Sequence, residues 1–96
     1  MEAANSGHTE AQSKLGFYYF KGYGVEQDYE ASIKWWKKAA NSGDDVAQRN
    51  LGFMYEHGFG LDKPDINRAL DWYWKSAMNG NKSASEDFAR LLNQNK

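Results

Sequence analysis

The chain contains no cysteine, a single proline and almost no net charge, with 12 Lys and Arg against 13 Asp and Glu over 96 residues. The missing cysteine removes disulfides, thiolate nucleophiles and cysteine-based zinc sites together, and leaves the redox compartment open. A net charge of −1 supplies no broad basic field to collect nucleic acid or an anionic membrane surface, so neither is expected as a partner. No stretch approaches the roughly 18 consecutive apolar residues of a membrane span. The opening "MEAANSGHTE" has neither the basic n-region nor the apolar run of a signal peptide, which leads us to expect a soluble chain of unknown compartment. The length suits one domain, burying roughly two-thirds of the surface its unfolded chain exposes. The composition stands out in its rings: 16% of the residues are aromatic, and that much ring surface must be buried or used.

The phrase "LGFYYFKGYG" at residues 15–24 returns as "LGFMYEHGFG" at 51–60. Internal repetition is the first thing to establish in such a chain, because it decides the architecture. Ala3, Ala4, Asn5, Ser6, Gly7, Ala11, Gln12, Leu15, Gly16, Phe17, Tyr19, Gly22 and Gly24 all recur 36 positions later. Beyond the turn the shift becomes 37, one residue having been added near Pro64. Asp28, Trp35, Lys38, Ala40, Gly43 and Ala47 then pair with Asp65, Trp72, Lys75, Ala77, Gly80 and Ala84. The chain divides into residues 1–7 as the end of a preceding helix, 8–43 and 44–80 as full units, and 81–96 as a partial or capping unit.

Each unit reads as two helices. Ala11, Leu15 and Tyr18 or Tyr19 recur at helical spacing, and the run stops at "KGYG", where glycine can take the positive φ that ends a helix. Asp28 offers an N-cap oxygen to a second helix, in which Tyr29, Ser32 or Ile33, Trp36 and Ala40 follow at intervals of three and four until "NSG" at 41–43. The next unit repeats this with "HGFG" as its turn and Asp65 as its cap. Pro64 sits just before that cap, where its missing N–H costs nothing. No segment alternates as a half-buried strand would.

The pattern Ala-x3-Leu-Gly-x2-Tyr-x2-Gly-x-Gly-Val, then Asp-x6-Trp-aromatic and Ala-Ala-x2-Gly, resembles the Sel-one-like repeat, a cousin of the tetratricopeptide repeat. It is carried by Ala11, Leu15, Gly16, Tyr19, Gly22, Gly24, Val25, Asp28, Trp35, Trp36, Ala39, Ala40 and Gly43. The second unit carries it in Ala47, Leu51, Gly52, Tyr55, Gly58, Gly60, Asp65, Trp72, Tyr73, Ala77 and Gly80, with Leu61 and Ser76 departing from it. The third keeps Ala84, has Phe88, Ala89 and Leu92 for Leu, Gly and Tyr, and lacks the Gly-x-Gly turn. The resemblance implies an all-α superhelix (solenoid) of antiparallel helix pairs, about two and a half repeats long. It further implies an adaptor or scaffold for other proteins, with no catalytic residues and no cofactor.

The residues support that architecture on their own terms. Gly16 and Gly52 lie inside helices, where glycine costs about 1 kcal/mol relative to alanine. A missing side chain lets a neighbouring helix approach, with the ring of Trp35 or Trp72 expected across the gap. Burying a tryptophan removes roughly 150 to 250 Å² from water, a gross gain of about 4 to 6 kcal/mol. Packing therefore outweighs propensity at these positions.

The chemical alternatives lack their defining features. "GYGVEQD" has no third glycine and closes a helix, where a dinucleotide fingerprint follows a strand. His8 and His57 occupy non-equivalent positions without a ligand-type partner at i, i+4, which gives no metal site. Asp44 with Asp45, and Glu86 with Asp87, are expected in the first turns of helices, where negative charge favours the dipole. No nucleophile elbow or triad signature is present.

In stacked helix pairs the first helices line the concave side. Helical spacing assigns to that face Lys14, Phe17, Tyr18 and Lys21, then Asn50, Phe53, Met54 and His57, then Asp87, Arg90, Leu91 and Gln94. Aromatic, methionine and arginine side chains suit a protein or peptide partner, although Tyr18, Met54 and Leu91 are equally placed to be buried between units. Trp35, Trp36, Trp72, Tyr73, Tyr19 and Tyr55 read as core. Trp74 replaces Lys37, so the repeat does not require a ring there, and it reads either as a contact or as a local packing variant. Two further functions stay open: a glycan- or peptidoglycan-binding module in which Trp74, Phe17 and Phe53 stack on sugars, and an inhibitor or immunity-type binder of an enzyme or toxin. Because the chain opens partway through a repeat, it reads either as part of a longer array or as a unit whose bare ends pair with another copy.

Overall fold

The structure, a computed structural model, describes residues 2–94, with side chains from His8 onward. The expected end of a preceding helix at residues 1–7 lies outside the residues whose side chains are described. Five helices follow one another: α1 (Glu2–Lys21), α2 (Tyr29–Asn41), α3 (Asp45–His57), α4 (Ile66–Met78) and α5 (Lys82–Gln94). Among the described residues there is no strand, and no helix is long and apolar enough to cross a membrane. Each helix packs chiefly against the next in sequence, so α1 with α2 and α3 with α4 form antiparallel pairs and α5 is the first helix of a third. The result is the all-α repeat superhelix that the sequence leads one to expect.

The helix starts are set by side chains. Asp28, Asp44 and Asp65 occupy N-caps, each accepting from the backbone N–H three residues on, at 3.1, 2.8 and 3.1 Å. These oxygens satisfy donors that the first turn leaves without intrahelical partners. Before α5 the same work falls to Asn81, which accepts from Ala84 N–H at 2.8 Å. Glu86 and Asp87 are therefore not in a first turn as expected, because the helix begins at Lys82. α3 ends at Gly58, whose φ of 76° closes the helix in the left-handed region; a Cβ there would also meet the backbone of Lys63 and Pro64.

The core lies between the first-helix layer (α1, α3, α5) and the second-helix layer (α2, α4). It comprises Ile33, Trp36, Ala39, Ala40, Ala47, Leu51, Met54, Tyr55, Ala69, Tyr73 and Leu91. The interior glycines are seats for rings from the second helix. A Cβ on Gly16 would collide with the indole of Trp36, and one on Gly52 with the ring of Tyr73. The expected rings, Trp35 and Trp72, are one position off. Each is only half-buried and lies beneath a lysine three residues on, with Lys38 Nζ 4.9 Å from the Trp35 centroid and Lys75 Nζ 4.6 Å from that of Trp72. The reason is angular: Ile33, Trp36 and Ala40 share one helical face, and a residue 100° around from Trp36 cannot share its seat.

Both seated rings have polar tips, and both tips are satisfied. Trp36 Nε1–H donates to the Ser13 carbonyl at 3.0 Å, and Tyr73 Oη–H donates to Glu56 Oε1 at 2.8 Å. Serine hydroxyls lace the same seams, Ser32 to the Gly16 carbonyl at 2.8 Å and Ser76 to the Asp45 carbonyl at 2.6 Å. A fully buried hydroxyl without a partner would cost about 1 to 3 kcal/mol, so these bonds are what let Ser32 and Ser76 stand where other repeats place alanine.

Candidate functional site: a groove across the first helices

α1, α3 and α5 do not close on one another through their backbones, and between them runs a groove of about 430 Å³. From the sequence-derived face it gathers Phe17, Asn50, Phe53, His57, Asp87 and Arg90. Lys14, Lys21 and Gln94 are exposed and are not among its lining residues. Lys21 Nζ lies 6.0 Å from the Phe17 centroid and 5.9 Å from that of Phe20, which brings the ammonium to the groove's edge.

Three members of the expected face are elsewhere. Met54 is 0% exposed and Leu91 3%, both inside the core. Tyr18 is exposed but does not line the groove. These three are one repeat slot, and the slot faces the second helix of the preceding unit. α2 covers it at Met54 and α4 at Leu91, whereas at Tyr18 no preceding helix stands among the described residues.

One wall of the groove is aromatic. Phe20 of α1 is 6.1 Å from Phe53 of α3 and 5.8 Å from Trp36. His57 leans on Phe53 at 4.6 Å, and Phe59 from the second turn closes the cluster at 5.7 Å from each of them. Phe59 also packs at a tilt against Tyr29 at 5.1 Å, which ties the turn of one repeat to the second helix of the repeat before. Phe17 and Phe53 remain 40% and 39% exposed, so both present ring surface to the solvent in the groove. Aromatic pairs at these spacings add to the area they bury.

The other wall is charged and ordered. Arg90 grips Glu56 with two bonds, Nη1 at 2.7 Å and Nη2 at 2.8 Å, and Nη1 also donates to Gln94 Oε1 at 3.2 Å. Arg49 Nε donates to Asp87 Oδ2 at 2.7 Å. The Glu56 side chain is only 8% exposed. The Arg90 hydrogen bonds hold its carboxyl below the usual range, against the opposing effect of burial. Burial raises the Tyr73 hydroxyl, and the hydrogen bond to Glu56 raises it further, so it stays a donor at neutral pH. Glu56 therefore stays a carboxylate and Tyr73 its donor through the physiological range.

Phe20, Trp36, Arg49, Glu56 and Tyr73 line the groove and were not read from the sequence as site residues. A signal was available for one pair: Phe20 and Glu56 are repeat equivalents with unrelated chemistry, in a helix where half of the other slots match. Trp74, 52% exposed on α4, is not among the lining residues. A larger hollow of about 720 Å³ lies beside the second turn, bounded by Lys37, Tyr55 and residues 61–68, and none of the expected face lines it. Among the described residues no cluster of His, Asp and Glu has a metal-holding arrangement.

The family model of the Sel1 repeat matches residues 9–44 and 45–81. A Sel1 repeat protein from Oxalobacter formigenes, known from its crystal structure, superposes with a TM-score of 0.83 at 37% identity, over 86% of this chain and 34% of that one. A protective antigen present in uropathogenic Escherichia coli strains, displaying an SLR fold, superposes with a TM-score of 0.78 at 43% identity, over 85% of this chain and 17% of that one. The chain thus spans about a third of the first and a sixth of the second. No curated protein matches it. Proteins built from Sel1 repeats are generally protein-interaction modules and typically non-catalytic. With two consecutive segments matched and the same helical stack in both solved structures, this chain belongs to the Sel1 repeat family.

Proposed function

We propose that the chain is a non-catalytic adaptor or scaffold module that holds a peptide or protein segment in the groove across α1, α3 and α5. The observation that carries this reading is convergence. Side chains from three helices that are not neighbours in sequence meet in one groove of about 430 Å³, with exposed rings on one side and a fixed ionic network on the other. Aromatic anchors beside ordered arginines are the composition of interface hot spots. The repeat supplies the groove as a by-product of its packing: glycine seats draw the second helices inward, and the first helices are left to face a guest.

A sugar-stacking platform has less support, because Trp74 is apart from Phe17 and Phe53. The test is to pan a displayed random-peptide library on the purified chain and measure the selected binders on the variant Phe17→Ala/Phe53→Ala. Both rings are exposed, so helicity by circular dichroism stays unchanged. Affinity falls at least about tenfold, the effect of losing anchors worth 1 to 2 kcal/mol. Binders indifferent to both rings would place the site elsewhere on the molecule.

A further inference from the structure

We infer that the groove selects an acidic segment carrying a large apolar side chain; this rests on the groove being the binding site. The donors that remain unused inside it point to that guest. Arg90 spends three of its five N–H groups on Glu56 and Gln94. Arg49 spends fewer: among the described residues only Nε is engaged, with Asp87, and the side chain is 43% exposed, so both terminal amino groups can donate into the groove it lines. The Asn50 amide beside it makes no side-chain hydrogen bond among the described residues. Across the groove the Lys21 ammonium lies over Phe17 and Phe20, and among the described residues no carboxylate pairs with it.

The acceptors are the reverse case. The two carboxylates of the groove, Glu56 and Asp87, are each already neutralised by a guanidinium. An incoming carboxylate thus meets free cationic donors on both walls and no uncompensated negative charge. A basic segment would have to break an existing ion pair to find a partner, and Glu56 is too buried to receive one. Between the donors lies the aromatic strip of Phe17, Phe20 and Phe53, which fits an apolar side chain flanked by acidic ones. Because the whole chain has a net charge of −1, this preference is local, acting within about a Debye length of Lys21 and Arg49, and guanidinium forks favour carboxylate oxygens geometrically as well.

The experiment uses fluorescein-labelled peptides that share a central Leu-Phe pair and differ only in flanks of Asp and Glu, of Asn and Gln, or of Lys, read by fluorescence anisotropy. The acidic peptide binds at least about tenfold more tightly than the amide peptide, and raising salt narrows the gap. Lys21→Gln, which breaks no ion pair among the described residues, and Arg49→Gln each weaken the acidic peptide by about three- to tenfold and weaken the amide peptide less. Equal binding of the amide or lysine peptide, lost on Phe17→Ala/Phe53→Ala, would overturn the charge preference and leave the groove reading standing. Binding insensitive to those two rings would overturn both. Failure of the acidic peptide to bind would overturn the preference outright.

Discussion

Gly52→Leu lowers the stability of the whole chain by about 3 kcal/mol, which for a domain of this size moves the urea midpoint down by about 2 M. Helix propensity alone argues the other way, since removing a mid-helix glycine is worth about 1 kcal/mol. The outcome is decided by what occupies the space. A Cβ at this position would lie 2.5 Å from Tyr73 Cδ1, well inside van der Waals contact, and the rest of a leucine would extend further into the ring. Tyr73 cannot step aside cheaply. It is 1% exposed, its hydroxyl is bound to Glu56 at 2.8 Å, and Glu56 is gripped in turn by Arg90. Moving the ring therefore breaks a network that bridges α3, α4 and α5. Because each helix of a solenoid is stable only against its neighbours, the loss appears as one earlier transition, coincident by circular dichroism and tryptophan fluorescence. An unchanged midpoint would contradict this packing.

Trp36→Ala costs about 3 to 5 kcal/mol, the range for deleting a large buried ring, whereas Trp35→Ala costs about 1 kcal/mol or less. The two tryptophans are adjacent in sequence and opposite in role. Trp36 is 3% exposed, sits against the bare backbone of Gly16, meets Phe20 at 5.8 Å and donates to the Ser13 carbonyl. Its removal opens a cavity and deletes a hydrogen bond between α2 and α1. Trp35 is half-buried under the Lys38 ammonium, an exposed cation–π pair whose loss is small. Urea melts of the two variants measure the difference directly; equal costs would mean that the indole of Trp36 is not the ring the glycine seat exists to hold.

That pair of residues also shows where sequence reading succeeds and where it stops. The repeat, the helix pairs, the aspartate caps at 28 and 65 and the turn glycines were legible because each rests on local chemistry recurring at a fixed interval. The seated rings were misassigned by one residue because identity was followed where angle decides: Trp35 and Trp72 are the identical pair, but Trp36 and Tyr73 are the residues on the buried face. For Met54 and Leu91, spacing left partner face and core equally open for a related reason. Spacing within one helix shows a stripe, and only the neighbouring repeat determines which edge of that stripe is covered. The ionic wall was not legible at all, since Arg49 meets Asp87 and Glu56 meets Arg90 across 38 and 34 residues, distances at which one sequence carries no pairing signal. What the repeat does reveal is where it fails to repeat. Phe20 against Glu56, and Phe53 against Arg90, are equivalent slots holding different chemistry, and all four line the groove.

The most direct measurement is a double-mutant cycle in urea between Gly52→Ala and Tyr73→Ala. If the glycine is bare in order to seat the ring, Gly52→Ala destabilises the native chain but is neutral or stabilising once the ring is gone. The predicted coupling is about 1 kcal/mol or more, with the sign of the alanine effect reversing as helix propensity takes over. Additive effects, with Gly52→Ala costing the same in both backgrounds, would contradict it.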